Sequence, residues 1–215
     1  MRLAEIWRYP VKSMAGERMT HATLRTTGIV GDRVVQVRDD RDRVVTSRSR
    51  PRLLGHHATL GHDGEPRVDG RPWSDPSVAA DVRRAVGAAA ALVRDDSLDR
   101  FDVLPLLVAT DGALAAFGRD PRRLRPNLVV AGVAGLAERR WPGLGLRIGG
   151  VVLDMATLRQ RCIMTTFDPD TQEQDVGVLL DIHARFQGSL ALDCSILVPG
   201  EIHVGDEVEL LGERS

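Results

Sequence analysis

The sequence is poor in cysteine, and this limits the redox and metal chemistry that it can perform unaided. Its 215 residues include only Cys162 and Cys194, a number typical of a reducing compartment rather than of a domain held together by disulfides. No Cys-x-x-Cys pair and no Cys/His cluster at ligand spacing is present, so neither a zinc site nor a two-cysteine redox couple is expected. A single disulfide between the two cysteines is the alternative state.

Long apolar runs and an excess of one charge are also missing. Nothing approaches the roughly 20 apolar residues that a helix needs to cross a bilayer, and the N-terminus has no signal-type apolar stretch. We therefore expect a cytoplasmic protein without a membrane span. With 29 basic and 30 acidic residues the net charge is −1, so no field for a polyanion is expected and nucleic acid is excluded as a partner.

Lysine is the scarcest charged residue, since Lys12 is the one lysine in the chain. Either drift replaced the others by arginine, or this position needs a compact ammonium that a planar guanidinium cannot replace. Lys12 lies in YPVKS at 9 to 13, where its ammonium and the hydroxyl of Ser13 are adjacent at a strand exit. Such a pair suits a phosphate or another anion, and a solvated turn is the alternative interpretation.

Short strands and a few short helices make up the rest of the pattern. Strands are predicted near 3–9, 20–25, 33–38, 44–47, 57–60, 128–130, 144–148, 151–155, 191–198 and 207–211. Helices are predicted after a cap at Ser77, after a cap at Thr110, and on the face formed by Leu179, Ile182, His183 and Phe186. The segment 61–76 is rich in Gly, Pro and Asp and is predicted to consist of turns or a boundary.

These elements predict a mixed α/β, β-rich fold in two parts. An antiparallel, β-barrel-like module is expected over 1–75, and a second domain over 76–215, with a linker and helices at about 61–100. The doublet Gly149-Gly150 between two strands predicts a hairpin.

Two further motifs place polar side chains beside turns. In GDR at 31 to 33, Arg33 follows a glycine turn at the head of a strand and is either a phosphate ligand or half of a surface ion pair. In LRPNLVV at 124 to 130, Arg125 and Asn127 are two residues apart and would face the same side of an extended segment. Together they could bind a polar heterocycle or, alternatively, cap a turn.

Cys162 lies in QRCIMTTFDPD at 160 to 170, directly after two nearby arginines. Arg159 and Arg161 are close in sequence, and a neighbouring cation lowers the pKa of a thiol and favours the metal-binding thiolate. The alternative is an inert cysteine that acts as a small buried hydrophobe. A soft thiolate without other ligands nearby suits a metal that arrives with its own cofactor.

The order of these motifs carries a resemblance that no single motif does. YPVKS, GDR, TSRSRPRL, RPNLVV, RCIMTTFDPDT and PGEIHVGDEVELL occur in the order found in MOSC proteins with an N-terminal MOSC-type β-barrel, the group that contains the amidoxime-reducing components. The resemblance covers almost the full chain and implies that the second domain is a MOSC β-barrel with short peripheral helices. It also implies a molybdenum cofactor, molybdopterin, which is a pyranopterin with a dithiolene group.

The implied cofactor site draws on seven residues. The phosphate or ring of the cofactor would be held by Lys12, Ser13 and Arg33. The pterin would be contacted from the second domain by Arg125, Asn127 and Arg161. Cys162 would bind the metal and be the catalytic residue.

The activity implied by the resemblance is that of a molybdenum-dependent oxidoreductase that removes oxygen from small N-hydroxylated substrates. The chain has no spare cysteines for an iron–sulfur cluster and no flavin or nicotinamide fingerprint, so an external electron donor, a reductase or ferredoxin, is expected. Two alternatives remain, a sulfur carrier or transferase that uses a Cys162 persulfide, and a non-catalytic cofactor carrier. Pyridoxal phosphate on Lys12 is not expected, since no partner for its pyridine nitrogen is evident.

Overall fold

The computed structural model describes residues 1–87 and 89–213. Within them the chain forms seventeen strands and three α-helices, joined by turns and short 3₁₀ segments. The strands are β1 (Arg2–Arg8), β2 (Glu17–Met19), β3 (His21–Arg25), β4 (Gly28–Ile29), β5 (Val35–Arg38), β6 (Val44–Val45), β7 (Ala58–Leu60), β8 (Pro66–Val68), β9 (Arg71–Pro72), β10 (Ala91–Arg94), β11 (Leu106–Thr110), β12 (Leu128–Ala131), β13 (Leu144–Ile148), β14 (Val151–Gln160), β15 (Ser189–Val198), β16 (Gly200–His203) and β17 (Val208–Glu213). The helices are α1 (Pro76–Val86), α2 (Asp111–Phe117) and α3 (Gly177–Phe186).

The largest sheet has eight strands in the order β17-β13-β14-β15-β11-β12-β1-β2. Its neighbouring strands are antiparallel except for β11 and β12, which are parallel and are connected through α2. The first strand of the chain, β1, pairs with β12, and Arg2 forms a bridge with Glu207 just before β17. The sheet therefore curves toward its own far edge, but within the described residues it is not a closed barrel.

Three small sheets surround the large one, in the orders β10-β5-β6, β16-β3-β4 and β7-β8-β9. Pairing of β16 with β3 connects the end of the chain to its beginning. In the third sheet, β7 confirms the strand predicted near 57–60, whereas β8 and β9 lie in the Gly-, Pro- and Asp-rich segment 61–76. The prediction that this segment consists of turns or a boundary missed these two strands. The strands of this sheet are two or three residues long, and Pro66 stands at the first residue of β8, where proline is tolerated.

Two helices begin at side-chain caps. Asp75, rather than the predicted Ser77, caps α1 by accepting a hydrogen bond from the backbone N–H of Ser77. Thr110 caps α2 as predicted, because its hydroxyl accepts from the N–H of Ala113 at 3.2 Å. The caps satisfy backbone donors that have no partner within the first helical turn.

The buried face of helix α3 differs in part from the predicted face. It consists of Val178, Ile182 and Phe186, which are each one turn apart and pack in a hydrophobic cluster separate from the main core. The predicted inclusion of His183 in this face was wrong, since its side chain is exposed. Spacing of four residues along the helix explains why Val178 completes the apolar stripe.

Strand β14 leads from the core to a cavity. Val151, Leu153 and Met155 alternate into the main core, as expected for a half-buried strand. The register with β15 then shifts between Met155 and Thr157, and again near the end of β14. Such bulges bend a strand and redirect its side chains, and the residues from Thr157 onward line a cavity.

The predicted mixed, β-rich fold class is confirmed by the large mixed sheet and the three helices. The hairpin at Gly149-Gly150 joins β13 and β14 as predicted. The domain boundary between 75 and 76 stays a prediction, and residues 88, 214 and 215 of the second predicted domain lie outside the described residues. None of the helices in the described part of the chain has the length and apolar character that crossing a membrane requires.

Candidate functional site

A cavity of about 390 Å³ lies at the end of β14, and all seven residues predicted from the sequence line it. Four segments that are distant in the chain meet here. They contribute Lys12 and Ser13 after β1, Arg33 before β5, Arg125 and Asn127 before β12, and Arg161 and Cys162 after β14. The fold therefore brings the predicted residues together, while their roles stay predictions.

Three of these residues have an uncommon backbone conformation. Ser13, Arg33 and Arg125 have φ angles of 72°, 55° and 55°, in the left-handed region that side chains other than glycine rarely adopt. Such conformations cost free energy and cluster at functional sites. They also correct one sequence argument, because Arg125 does not belong to an extended segment, although it and Asn127 still face one cavity.

The cavity carries more positive than negative charge. Five of its cations have a carboxylate partner, and they are Lys12, Arg33, Arg48, Arg123 and Arg159. Among the described residues, no ion pair is found for Arg125 or Arg161. Two half-buried guanidinium groups for which the described residues provide no counterion favour an anionic ligand.

Arg125 lies flat against an aromatic ring instead of a carboxylate. Its guanidinium carbon is 4.2 Å from the centre of the Tyr9 ring, in cation–π geometry. Burial lowers the pKa of Arg125 to about 10, and the charge of nearby Arg33 acts in the same direction. Tyr9 is held in turn by a 3.0 Å hydrogen bond from its hydroxyl to the carbonyl of Pro126.

The side chain of Arg161 makes one hydrogen bond to the described residues. Its Nη2 donates to the carbonyl of Leu124 at 2.7 Å, while its buried Nε has no acceptor in the part of the chain that the structure describes. Burial lowers the pKa of Arg161 to about 10, with a further contribution from Arg159. An acceptor atom on a ligand would satisfy this donor.

Cys162 is a free, half-buried thiol in the wall of the same cavity. Its backbone is extended, and its carbonyl accepts from the N–H and the hydroxyl of Thr165 at 3.0 and 2.9 Å. Cys194 is also free but is fully buried in the main core, so the disulfide alternative does not hold. No group of three or more His, Cys, Asp or Glu residues that could bind a bare metal ion occurs among the described residues.

Two family profiles divide the chain between them. The MOSC N-terminal beta barrel domain matches residues 1–103, and the MOSC domain matches residues 107–209. The chain belongs to the MOSC family. In the observed fold, strands from both matched ranges belong to the same large sheet.

Known proteins similar to this MOSC chain include two mammalian relatives and one solved structure. Mitochondrial amidoxime-reducing component 1 of Mus musculus is 24% identical over 98% of this chain and 82% of its own length. The Homo sapiens protein of that name is 26% identical over 98% and 83%. The structure of the YUAD protein from Bacillus subtilis covers 99% of this chain and 96% of its own, with 13% identity and a TM-score of 0.51. At that identity the structure supports the fold alone.

Sequence reasoning missed the acidic groups of the MOSC cavity. Asp102 accepts from Lys12 at 2.9 Å and from Arg48 at 2.6 Å, while Lys12 also donates to the carbonyl of Arg100 at 2.7 Å. Burial opposes ionisation of Asp102, but the hydrogen bond and charge of Lys12, aided by Arg48, hold its pKa below the usual range. These partners are 54 to 90 positions apart, so no local motif reveals them.

Asp193 is the second acidic residue that the sequence did not identify. It stands on β15 opposite Thr157, is almost completely buried, and forms a 2.5 Å ion pair with Arg159. Burial raises the pKa of Asp193 against the opposing charges of Arg159 and Arg161. Its presence explains why Arg159, unlike Arg161, has a counterion.

Asn127 is fixed by the protein itself. Its amide nitrogen donates to the carbonyl of Trp7 at 3.2 Å, and its amide oxygen accepts from the N–H of Leu107 and, at 3.4 Å, from Arg33. With these bonds Asn127 holds together the segments that carry Arg33 and Arg125. Direct contact of Asn127 with a heterocycle stays a prediction.

Proposed function

We propose that this MOSC protein binds a molybdenum cofactor of the pyranopterin type in the cation-lined cavity and uses it to reduce small N-hydroxylated compounds. The names of its mammalian relatives, amidoxime-reducing components, supply the reaction class. The main support for the proposal is that surplus positive charge and a free thiol occur in the same cavity. Arg125 and Arg161 have no carboxylate partner among the described residues, and Cys162 lies beside them.

The residues present fit such a group. Its phosphate and dithiolene are anionic, and the cavity offers two guanidinium groups without a carboxylate partner and a buried Nε donor without an acceptor among residues 1–87 and 89–213. A soft metal is matched by a soft thiolate, and the volume of about 390 Å³ is within the range of small-molecule sites.

We assign a part to each residue that lines the cavity. The phosphate or ring would be held by Lys12, Ser13 and Arg33, and the pterin would be neutralised and oriented by Arg125 and Arg161. The thiolate of Cys162 would bind the metal. Asn127 would act chiefly by holding the neighbouring arginines in position.

When bound, the cofactor supplies a metal centre that exchanges two electrons and accepts an oxygen atom. Overall, reduction of an amidoxime consumes two electrons and two protons, breaks the N–O bond, and yields an amidine and water. A separate redox protein would deliver the electrons, because Cys162 and Cys194 cannot hold a cluster. The apolar side chains of Val103, Leu104 and Leu158 in the cavity wall would limit the access of water.

The test uses full-length protein from a host that makes the cofactor. We expect about one molybdenum per chain and reduction of benzamidoxime with an artificial reductant. Cys162→Ser should lose both, whereas the matched control Cys194→Ala should keep both. A persulfide on Cys162 without molybdenum would instead support sulfur transfer, and molybdenum retention without any reduction would support a cofactor carrier.

A further inference from the structure

A second cavity, of about 400 Å³, adjoins the first. Arg123, Arg125 and Met164 line both cavities, so a wall of side chains separates them. Met164 is the unbranched and flexible member of this wall, and thioether side chains adapt readily to ligands. A ligand in the second cavity would therefore lie beside the proposed cofactor site.

The lining of this second cavity is largely aromatic and apolar. Trp7, Tyr9, Leu54 and Phe167 face it together with Met164. The indole N–H of Trp7 donates to Glu5 at 2.7 Å, and the hydroxyl of Tyr9 is bound to a backbone carbonyl. Because these polar atoms already have partners, the parts of the rings that reach the cavity are apolar. Tyr9 and Phe167 are themselves buried, so the half-buried Trp7 presents the more open ring surface.

Most charged groups at the second cavity are already paired. Arg122 is 2.6 Å from Asp170 and equally close to Asp120. Arg123 is 2.9 Å from Asp168 and donates to the carbonyl of Thr166 at 3.0 Å. Arg125, in the wall between the two cavities, differs from Arg122 and Arg123 because the described residues provide no carboxylate partner for it. The ligand should therefore be mainly apolar, with one polar end directed to that wall.

Close backbone packing holds the aromatic lining in place. A Cβ atom at Gly16 would lie 2.2 Å from the carbonyl oxygen of Arg8 and 2.5 Å from the Tyr9 ring, so only glycine permits this approach. The neighbouring residue, Ala15, also lines the cavity, and its small side chain leaves the space open. Because Ala15 does not line the first cavity, a larger side chain at this position is expected to take up space in the second cavity alone.

We infer that the second cavity binds the aromatic part of the substrate, so that N-hydroxylated compounds with one or two aromatic rings are preferred over aliphatic ones. This inference rests on the proposed function. A tricyclic pterin with its phosphate would take up most of the first cavity, and the body of a substrate then needs separate space. The aromatic lining supplies that space, and a shift of the flexible Met164 side chain in the shared wall would let the N-hydroxy end enter the first cavity, which Cys162 lines.

The kinetic test compares benzamidoxime with acetamidoxime, which has the same reacting group and a methyl group in place of the ring. Ala15→Phe fills the cavity, and Trp7→Leu removes an aromatic surface if the first variant folds poorly. Either should raise KM for benzamidoxime about tenfold or more and leave KM for acetamidoxime and the molybdenum content unchanged. The control is Ala184→Phe, at an exposed position of α3. Equal changes for both substrates, or no change for either, would overturn the inference.

A binding measurement separates this inference from the proposed function. Calorimetric titration of benzamidoxime into the purified protein without reductant needs no turnover. Weaker binding by about tenfold in Ala15→Phe, with wild-type binding in Ala184→Phe, is expected even if no amidoxime is reduced, in which case the proposed reaction fails and the aromatic pocket stands. Unchanged binding in both Ala15→Phe and Trp7→Leu would contradict the pocket.

Discussion

The middle and one end of the β14–β15 ladder give two cysteines opposite environments. Cys194 lies in the middle of β15, fully buried in the main core, and burial raises the pKa of its thiol well above the usual range. Cys162 follows the bulged end of β14 and is half-buried in the wall of a cation-rich cavity. Position along one ladder thus separates a packing residue from a thiol that a ligand can reach.

The largest difference should appear in thiol modification. Iodoacetamide should react with Cys162 in the native protein and with Cys194 only after unfolding, which costs about 5 kcal/mol or more. We therefore expect the two rates to differ by roughly 1000-fold or more, as measured by mass spectrometry of peptides over time. Comparable rates would show that the core around Cys194 opens readily.

Substitution of two arginines at the end of β14 should change the free energy of unfolding in opposite directions. Arg159→Gln removes the counterion of buried Asp193 and should lower the free energy of unfolding by about 2 kcal/mol. Arg161→Gln removes a cation without a carboxylate partner among the described residues, and in protein without cofactor it should raise that energy by about 1 kcal/mol. Urea titration measures both changes.

Acidity should reduce this contrast between the two arginine variants. Burial raises the pKa of Asp193, so its unpaired carboxylate in Arg159→Gln takes up a proton as the pH falls. The deficit of Arg159→Gln should therefore shrink toward low pH. A loss of stability in Arg161→Gln similar to that in Arg159→Gln would mean that the Arg161 charge is already compensated.

Serine substitutions of the two cysteines should show their difference in burial as a smaller difference in stability. Cys194→Ser places a hydroxyl in the apolar core and should cost about 1.5 kcal/mol of stability. Cys162→Ser should cost less than about 0.5 kcal/mol, because its side chain faces the cavity. Differential scanning calorimetry of the two variants checks this, and equal costs would place both cysteines in similar environments.

The smallest effect concerns the backbone of β15. Ala191 is buried with a φ angle of 68°, a conformation that costs an alanine about 1–2 kcal/mol. Ala191→Gly removes this strain but increases the freedom of the unfolded chain, so a net gain of about 0.5 kcal/mol is expected. Urea titration again provides the measurement, and a loss of stability would show that the methyl group packs better than the strain costs.

The sequence predicted which residues share a cavity better than it predicted the elements around them. Lys12 stood out by its rarity and Cys162 by its neighbouring arginines, while the other candidates came from short motifs beside turns and from the order of the motifs. By contrast, β11 was missed because Leu106–Thr110 is buried throughout and shows no alternation. Strands β8 and β9 were missed because local turn composition masked pairings that only the folded chain completes.

Counterions could not be predicted from local patterns at all. Asp102 and Asp193 meet Lys12 and Arg159 only through sheet pairing and loop packing across long stretches of chain. The second cavity is likewise formed by residues from five separate segments. Charge balance and volume are properties of the assembled fold, and they show that the seven candidate residues line one cation-rich cavity with an aromatic neighbour.

X-ray absorption at the molybdenum edge of the purified protein tests whether Cys162 binds molybdenum. We expect three sulfur neighbours, two from the dithiolene and one from Cys162, and the loss of one of them in any metal that Cys162→Ser retains. Two sulfur neighbours in the wild-type protein, or an unchanged spectrum in Cys162→Ser, would contradict molybdenum binding by Cys162.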